Sequence, residues 1–223
     1  MKRAMTESAK AEKARMILDT AREMYRNGEY EEIKMSDIAK AAKISNGTLF
    51  YYYKTKEILF MEMLFLEYEI RFRHFLNVLD PIKKMTYEQF KAFFLDEMAG
   101  VLEQDSVFIR LCAIKNTILE KNIDEETALK ATRAMSAALE PVLRLLTERV
   151  SFFSEEAFFH LLGAQNAIIV GYVNIASMPD VMHHAIAGQR FKGFQVNFKE
   201  NALTAMEYYL DGWYKSLQGT RTL

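Results

Sequence analysis

Apolar residues return every three or four positions through most of this 223-residue chain, the spacing of helices that bury one face. Ala14, Ile17, Leu18, Ala21 and Met24 form the first such stripe and predict a helix from about Ala9 to Arg26, with Asn27-Gly28 behind it as a left-handed helix stop. Ile38, Ala39 and Ala42 give one apolar face to a short helix over Ser36–Ala42, and Ser45 is an N-cap for a second over Ser45–Tyr51. From Lys56 to about Leu79 the pattern is apolar almost all round (Ile58, Leu59, Met63, Leu64, Leu66, Ile70, Phe75), which predicts a helix covered on several sides and shared by two domains. Pro81 closes that region, and Thr86-Tyr87-Glu88-Gln89 has the form of a capping box opening a helix to about Leu102. Further helices are expected over Ser106–Lys121, over Asp124–Arg149 with a bend at Pro141, over Ser154–Ala176 and over Asn197–Leu217. Residues 177–197, with Pro179, Gly188 and Gly193, predict no definite element.

The stretch from Ile33 to Phe60 is the most informative. Two short helices are joined by a break at Lys43-Ile44, and Thr55 caps a third that follows at once. The second of them is small at its start (Asn46, Gly47, Thr48) and aromatic at its end (Phe50 to Tyr53). Such a helix can press its first turn into a major groove, where Asn and Thr side chains reach base edges. This is a helix-turn-helix, and Lys56, opening the next helix, is placed beside DNA phosphates.

The same residues resemble the DNA-binding domain of the TetR/AcrR family of bacterial transcriptional regulators. Ile38-Ala39, Ala42, Ile44-Ser45, Gly47-Thr48-Leu49, Tyr53 and Lys56-Glu57 stand in register with the family's pattern, and ARMILDTAREMYRNGEYEEI fits its first helix. Beyond residue 60 the resemblance is one of architecture. Three positions depart from it. Lys43 replaces the turn glycine, so it is expected at positive φ at a cost of about 1 kcal/mol, compensated by a phosphate contact. Phe50 replaces a tyrosine whose hydroxyl would bind phosphate, a role left to Tyr51, Tyr52 or Tyr53. Lys34 stands where a Thr or Ser usually caps the second helix; the cap passes to Ser36, or the helix starts less well capped. The expected DNA contacts are Asn46, Thr48 and Tyr51 on bases, and Lys34, Lys43, Ser45, Tyr52 and Lys56 on phosphates.

The fold class expected is all-α, in two parts. Residues 1–55 form a three-helix DNA-binding domain preceded by a disordered arm over 1–9, and residues 56–223 form a larger helical effector-binding and dimerisation domain. Composition agrees: half the residues are hydrophobic, with 3 prolines and 9 glycines, which suits helices better than a turn-rich β fold. The net charge of −1 looks wrong for a DNA-binding protein until it is divided. Residues 1–60 carry twelve basic against nine acidic side chains, and the remainder seventeen against twenty-one; phosphate attraction is local, so this asymmetry outweighs the total. A single cysteine, a charged N-terminus without an apolar signal core, and apolar runs as short as Ala167–Val173 point to a cytoplasmic protein without a membrane partner.

In the larger domain, Gly163, Ala167 and Gly171 recur at i, i+4 and i+8, a small-residue stripe that lets another helix approach closely. The resemblance implies that the last two long helices of each subunit make a four-helix dimer interface, here with Ala205 and Tyr209 from the final helix. An intramolecular contact, or space for a ligand, would use the same stripe. Phe93, Met98, Phe108 and Cys112, with Asn116, His160 and Gln165 as polar anchors, are candidates for an adaptable pocket for a lipophilic or aromatic effector. Such residues at helical spacing equally make ordinary core. His183 and His184 diverge by about 100° on a helix, so no metal site is expected, and no cofactor. Cys112 reads as an inert buried thiol. No phosphate loop, paired-histidine metal helix or nucleophile elbow is present to suggest an enzyme. The expectation is a homodimeric regulator, a repressor released from a near-palindromic operator by a small effector. The alternatives are a helical partner-binding module that has lost DNA binding, and a helical enzyme.

Overall fold

The computed structural model describes residues 6–103, 106–187 and 196–220. Every regular element among them is helical: α1 (Glu7–Arg26), α2 (Met35–Ala41), α3 (Asn46–Tyr52), α4 (Lys56–Leu79), α5 (Tyr87–Val101), α6 (Val107–Ile114), α7 (Glu125–Arg149), α8 (Glu155–Ala176), α9 (Asp180–Ala187) and α10 (Phe198–Thr220). The helix starts follow local side-chain chemistry. Thr6, Ser45, Thr55, Asp124, Ser154 and Asn197 each accept a backbone N–H three residues on, and Thr86 with Gln89 completes a capping box.

Three expectations are corrected, and one open stretch is resolved in part. The arm is shorter than residues 1–9, because Thr6 caps a helix that already includes Glu7, Ser8 and Ala9; residues 1–5 lie outside the described residues. α1 does not end on a left-handed residue: Asn27 sits at φ −108°. Its backbone N–H reaches the Met24 carbonyl and its side-chain amide reaches that of Glu23 at 2.9 Å, so the last carbonyls are satisfied without positive φ. The segment Ser106–Lys121 is not one α-helix. α6 gives way to a π-helical turn at Lys115–Leu119 and a 3-10 turn at Glu120–Asn122. There the Asn122 amide donates to the Ile118 carbonyl at 2.9 Å, one of the side chains serving acceptors of the altered ladder. Residues 177–197 contain α9, which begins directly after Pro179; Gly188 and Gly193 lie outside the described residues.

The chain divides into two compact units, Met1–Glu67 with Ile114–Ala134, and Tyr68–Ala113 with Met135–Leu223. The division between these units falls inside α4, whose first half completes the core of the first unit. Leu59, Phe60, Met63 and Leu64 are fully buried, as are Ile17 and Ala21 of α1, Ile38 of α2 and Leu49 of α3. Phe60 meets Tyr25 and Tyr30 in T-shaped contacts at 5.1 and 4.9 Å between ring centres. Arg22 of α1 donates to the buried carboxylate of Glu67 at 2.6 Å.

In the second unit, α10 packs on α8 and α5. Ala202, Met206 and Leu210 of α10 meet a core that includes Phe90 and Phe94 of α5 and Phe158, Leu161 and Ile169 of α8. α5 and α10 are also joined by polar chemistry. Tyr87 stacks on Tyr214 at 3.8 Å, its hydroxyl donates to Asp211, and Lys91 reaches the same carboxylate at 3.0 Å. These bonds hold the Asp211 carboxyl below its ordinary range, the Tyr87 hydroxyl first and Lys91 second.

Candidate nucleic-acid interface

The turn between α2 and α3 is built by backbone hydrogen bonds. α2 closes at Ala42, and the next two N–H groups fold back over its last turn, Lys43 to the Lys40 carbonyl at 3.1 Å and Ile44 to the Ala39 carbonyl at 3.0 Å. This nested pair is a Schellman motif, whose first residue past the cap takes the left-handed conformation. Lys43 does so at φ 54°, as its place at the family's turn glycine predicts. α2 itself starts at Lys34 with no side-chain cap, so Ser36 has not taken over that role.

α3 starts firmly. The Ser45 hydroxyl accepts the Thr48 N–H at 3.1 Å and shares a 2.8 Å hydrogen bond with the Thr48 hydroxyl. Leu49 on one side is fully buried against the first-unit core. The opposite side is open: Ser45, Asn46, Gly47 and Phe50 are exposed, Tyr51 is 71% exposed, and Thr48 and Tyr52 are half-buried. Tyr51 and Tyr52 meet edge to face at 5.2 Å. Lys34 and Lys43 are exposed as well.

Two residues expected at DNA are turned inward. Tyr53 is 2% exposed; its hydroxyl lies 3.3 Å from both the Ala14 carbonyl and the Glu62 carboxylate, and burial pushes its pKa up. It cannot supply the phosphate contact that Phe50 lacks. Lys56 is half-buried, and its ammonium donates to the Tyr30 and Ile33 carbonyls at 2.5 and 2.9 Å while lying 3.7 Å above the Tyr30 ring. Burial lowers its pKa, opposed by Glu57 and Glu31. Its ammonium is thus engaged inside the protein. One cation was missed. Lys10 of α1, paired with Glu7 at 2.7 Å, lies near enough to Tyr51 and Tyr52 to interact with them electrostatically. No local pattern could reveal that neighbourhood, because α1 and α3 meet only in the fold.

The seven effector candidates differ in burial and do not all fall in one unit. Met98, Phe108 and Cys112 are buried; Tyr68 meets Phe108 in a T-shaped contact at 5.1 Å and sets its hydroxyl 3.9 Å from the Cys112 sulfur. Phe93 meets Phe75 edge to face at 5.2 Å. Gln165 is half-buried, His160 is exposed on α8, and Asn116 is exposed on the π-helical turn of the other unit. A cleft of about 330 Å³ in the second unit is lined instead by Leu76, Asn77, Asp80, Pro141, Arg144 and Leu145. His160 and Asn116 thus lie at the surface, while Gln165 is partly covered. Among the described residues no group of three His, Cys, Asp or Glu side chains is placed to hold a metal ion.

The small-residue stripe of α8 is uncovered. Gly163, Ala167 and Gly171 are exposed, and a Cβ added at either glycine would meet nothing within 4 Å. An intramolecular close contact at these glycines is therefore excluded among the described residues. Ala205 and Tyr209 of α10 are half-buried, and the Tyr209 hydroxyl donates to the His160 carbonyl at 3.3 Å. By length and composition alone, α8 as a whole is apolar enough to cross a membrane, with only 22% of its apolar window buried. The shortness of its longest unbroken apolar run therefore does not decide the question.

Comparison with known proteins matches both halves of the chain to one family. Residues 17–63 match the family described as Bacterial regulatory proteins, tetR family, and residues 82–216 match the Tetracyclin repressor-like, C-terminal domain. The Bacillus subtilis (strain 168) protein described as the uncharacterized HTH-type transcriptional regulator YuxN is 34% identical over 67 residues, which span 30% of this chain and 23% of that regulator. A crystal structure of a protein from Mesorhizobium loti MAFF303099, described as a TetR-family transcriptional regulator, superposes with a TM-score of 0.50 at 16% identity, covering 93% of this chain and 98% of that one, and shows a shared fold. With the helix-turn-helix in place and more than half its length matched by the C-terminal domain, this chain belongs to the TetR family of bacterial transcriptional regulators.

Proposed function

We propose that this chain is a sequence-specific DNA-binding transcriptional regulator whose α3 enters the major groove, with residues 1–55 as the reading head and residues 56–223 carrying effector binding and dimerisation. The observation that carries the reading is α3 itself, capped by Ser45, anchored by fully buried Leu49, and open to solvent at Asn46, Gly47 and Tyr51. Asn46 suits adenine, and Thr48, whose hydroxyl is occupied by Ser45, suits a thymine methyl. Exposed Lys34 and Lys43, with Ser45 and Tyr52, supply phosphate contacts. A second copy covers the bare stripe of α8 and the adjoining face of α10, giving a homodimer with a near-palindromic operator. We further propose that the protein is a cytoplasmic repressor, released when a lipophilic or aromatic effector in the C-terminal domain displaces α4. Such an effector must prefer the released state; a swing from 99:1 to 1:99 takes about 5.5 kcal/mol of preference.

The test is fluorescence anisotropy with duplex DNA from upstream of the coding region and with duplexes selected from a randomised pool. Salt-sensitive binding to a two-fold symmetric sequence, lost in an Asn46, Thr48, Tyr51 triple-alanine variant that stays folded, is the expected result. Binding to no duplex at low salt would reject the reading in favour of a protein-partner module.

A further inference from the structure

We propose that Lys56 is a positioning residue that clamps the loop between α1 and α2 onto the first turn of α4, and that it makes no phosphate contact in the DNA complex. The inference rests on the DNA-binding function proposed above. A cation in the first turn of a helix sits in the unfavourable field of the helix N-terminus. The Lys56 side chain turns away from it. Its ammonium donates to two carbonyls, Tyr30 at 2.5 Å and Ile33 at 2.9 Å, and rests 3.7 Å over the Tyr30 ring. Two carbonyls and a ring face match the three donors of an ammonium. Both carbonyls belong to residues only 6% exposed in an otherwise mostly exposed loop, so withdrawing the ammonium would take the donor from two acceptors beside buried side chains.

The neighbouring residues complete the clamp. Glu57 accepts the Tyr30 hydroxyl at 3.2 Å, and Phe60, one turn further on, meets the same ring in a T-shaped contact at 4.9 Å. Three residues of the first α4 turns therefore hold Tyr30. The Ile33 carbonyl held by Lys56 directly precedes Lys34, where α2 begins without a side-chain cap. Fixation that a cap would give locally comes here from α4. α2 passes its orientation to α3 through the Schellman turn, so the clamp sets how the reading helix stands relative to α4 within the first unit.

Salt dependence separates the two roles. A lysine on phosphate contributes about one unit to the slope of log affinity against log salt, and a positioning lysine contributes none. Lys56→Met, studied where circular dichroism shows it folded, is expected to bind a pool-selected duplex and a random duplex each about tenfold more weakly, with the wild-type slope. Lys56→Arg, which keeps the donors and the ring contact, should recover most of that loss. A slope flattened by about one unit would overturn the proposal, and so would unchanged affinity, which would make the clamp merely structural. If Lys56→Met does not fold, lysine acetylation of the wild-type protein, read by mass spectrometry with and without duplex, decides the matter: labelling of Lys56 should not respond to DNA, and DNA-dependent protection there overturns the proposal. A wild-type protein that binds neither duplex defeats the proposed function itself, an outcome distinct from a binding protein whose slope depends on Lys56.

Discussion

Lys43 combines a structural liability with an exposed charge, and substitution can separate them. It is an L-residue at φ 54° in the one position of the turn that glycine would normally take. The left-handed conformation costs an L-residue about 1–2 kcal/mol, and a glycine gives back roughly 0.5–1 kcal/mol of that in added chain entropy on folding. Lys43→Gly should therefore stabilise the first unit by about 0.5–1 kcal/mol. The two units need not melt together, so a global transition is a poor gauge. Native-state hydrogen exchange at the Ile38, Ala39 and Ala42 amides, which lie in or close α2, is the sharper assay; their exchange should slow about two- to fivefold. Lys43→Ala removes the charge but keeps the strain, so it should leave exchange nearly unchanged. If Lys43 also binds phosphate, both variants lose about one unit of salt slope in DNA binding, and only the glycine variant gains stability. Faster exchange in Lys43→Gly would refute the reasoning, because it would mean that the left-handed turn is not the conformation held in solution.

Other predictions follow from the same geometry. Thr48→Ala should weaken binding to the selected operator by about 1–3 kcal/mol while leaving random-duplex affinity unchanged; equal losses on both duplexes would remove Thr48 from base readout. Gly163→Leu and Gly171→Leu meet open space in the single chain and should fold normally, yet light scattering should report monomers; intact dimers in both variants would place the interface elsewhere. Asp211 is held below its ordinary value of 3.8 mainly by the Tyr87 hydroxyl and then by Lys91. A depressed carboxyl lends stability that is fully present above its unfolded value and is lost as pH falls through the folded one. Urea midpoints should therefore fall more between pH 5 and pH 2.5, points chosen to bracket roughly that range, for the wild type than for Asp211→Asn, and parallel falls would show that the carboxylate is unpaired in solution.

What could be read from the sequence follows the range of the interaction involved. Ser45, Thr55, Thr86 and Ser154 were legible as caps because a cap is a bond to the backbone three residues away. The left-handed Lys43 was legible because Ile38-Ala39, Ala42 and Ser45 fix the register of the turn on both sides. The surroundings of Lys56 were not legible, for the opposite reason. Its partners Tyr30 and Ile33 lie 26 and 23 residues upstream, and Tyr53 reaches 39 residues back to Ala14. Residue type alone made Lys56 a phosphate ligand and Tyr53 a substitute hydroxyl; only the fold reveals that both are occupied. The effector candidates were ambiguous in the same way, since Phe and Met at helical spacing are compatible with a closed core and with a pocket; Met98, Phe108 and Cys112 are buried. The glycine stripe of α8 was legible as spacing, but that nothing among the described residues covers it was not. Under the proposed clamp, exposed Lys34 and Lys43 differ from Lys56 in one respect: the Lys56 ammonium is already held by the Tyr30 and Ile33 carbonyls, and a phosphate would have to displace it from them.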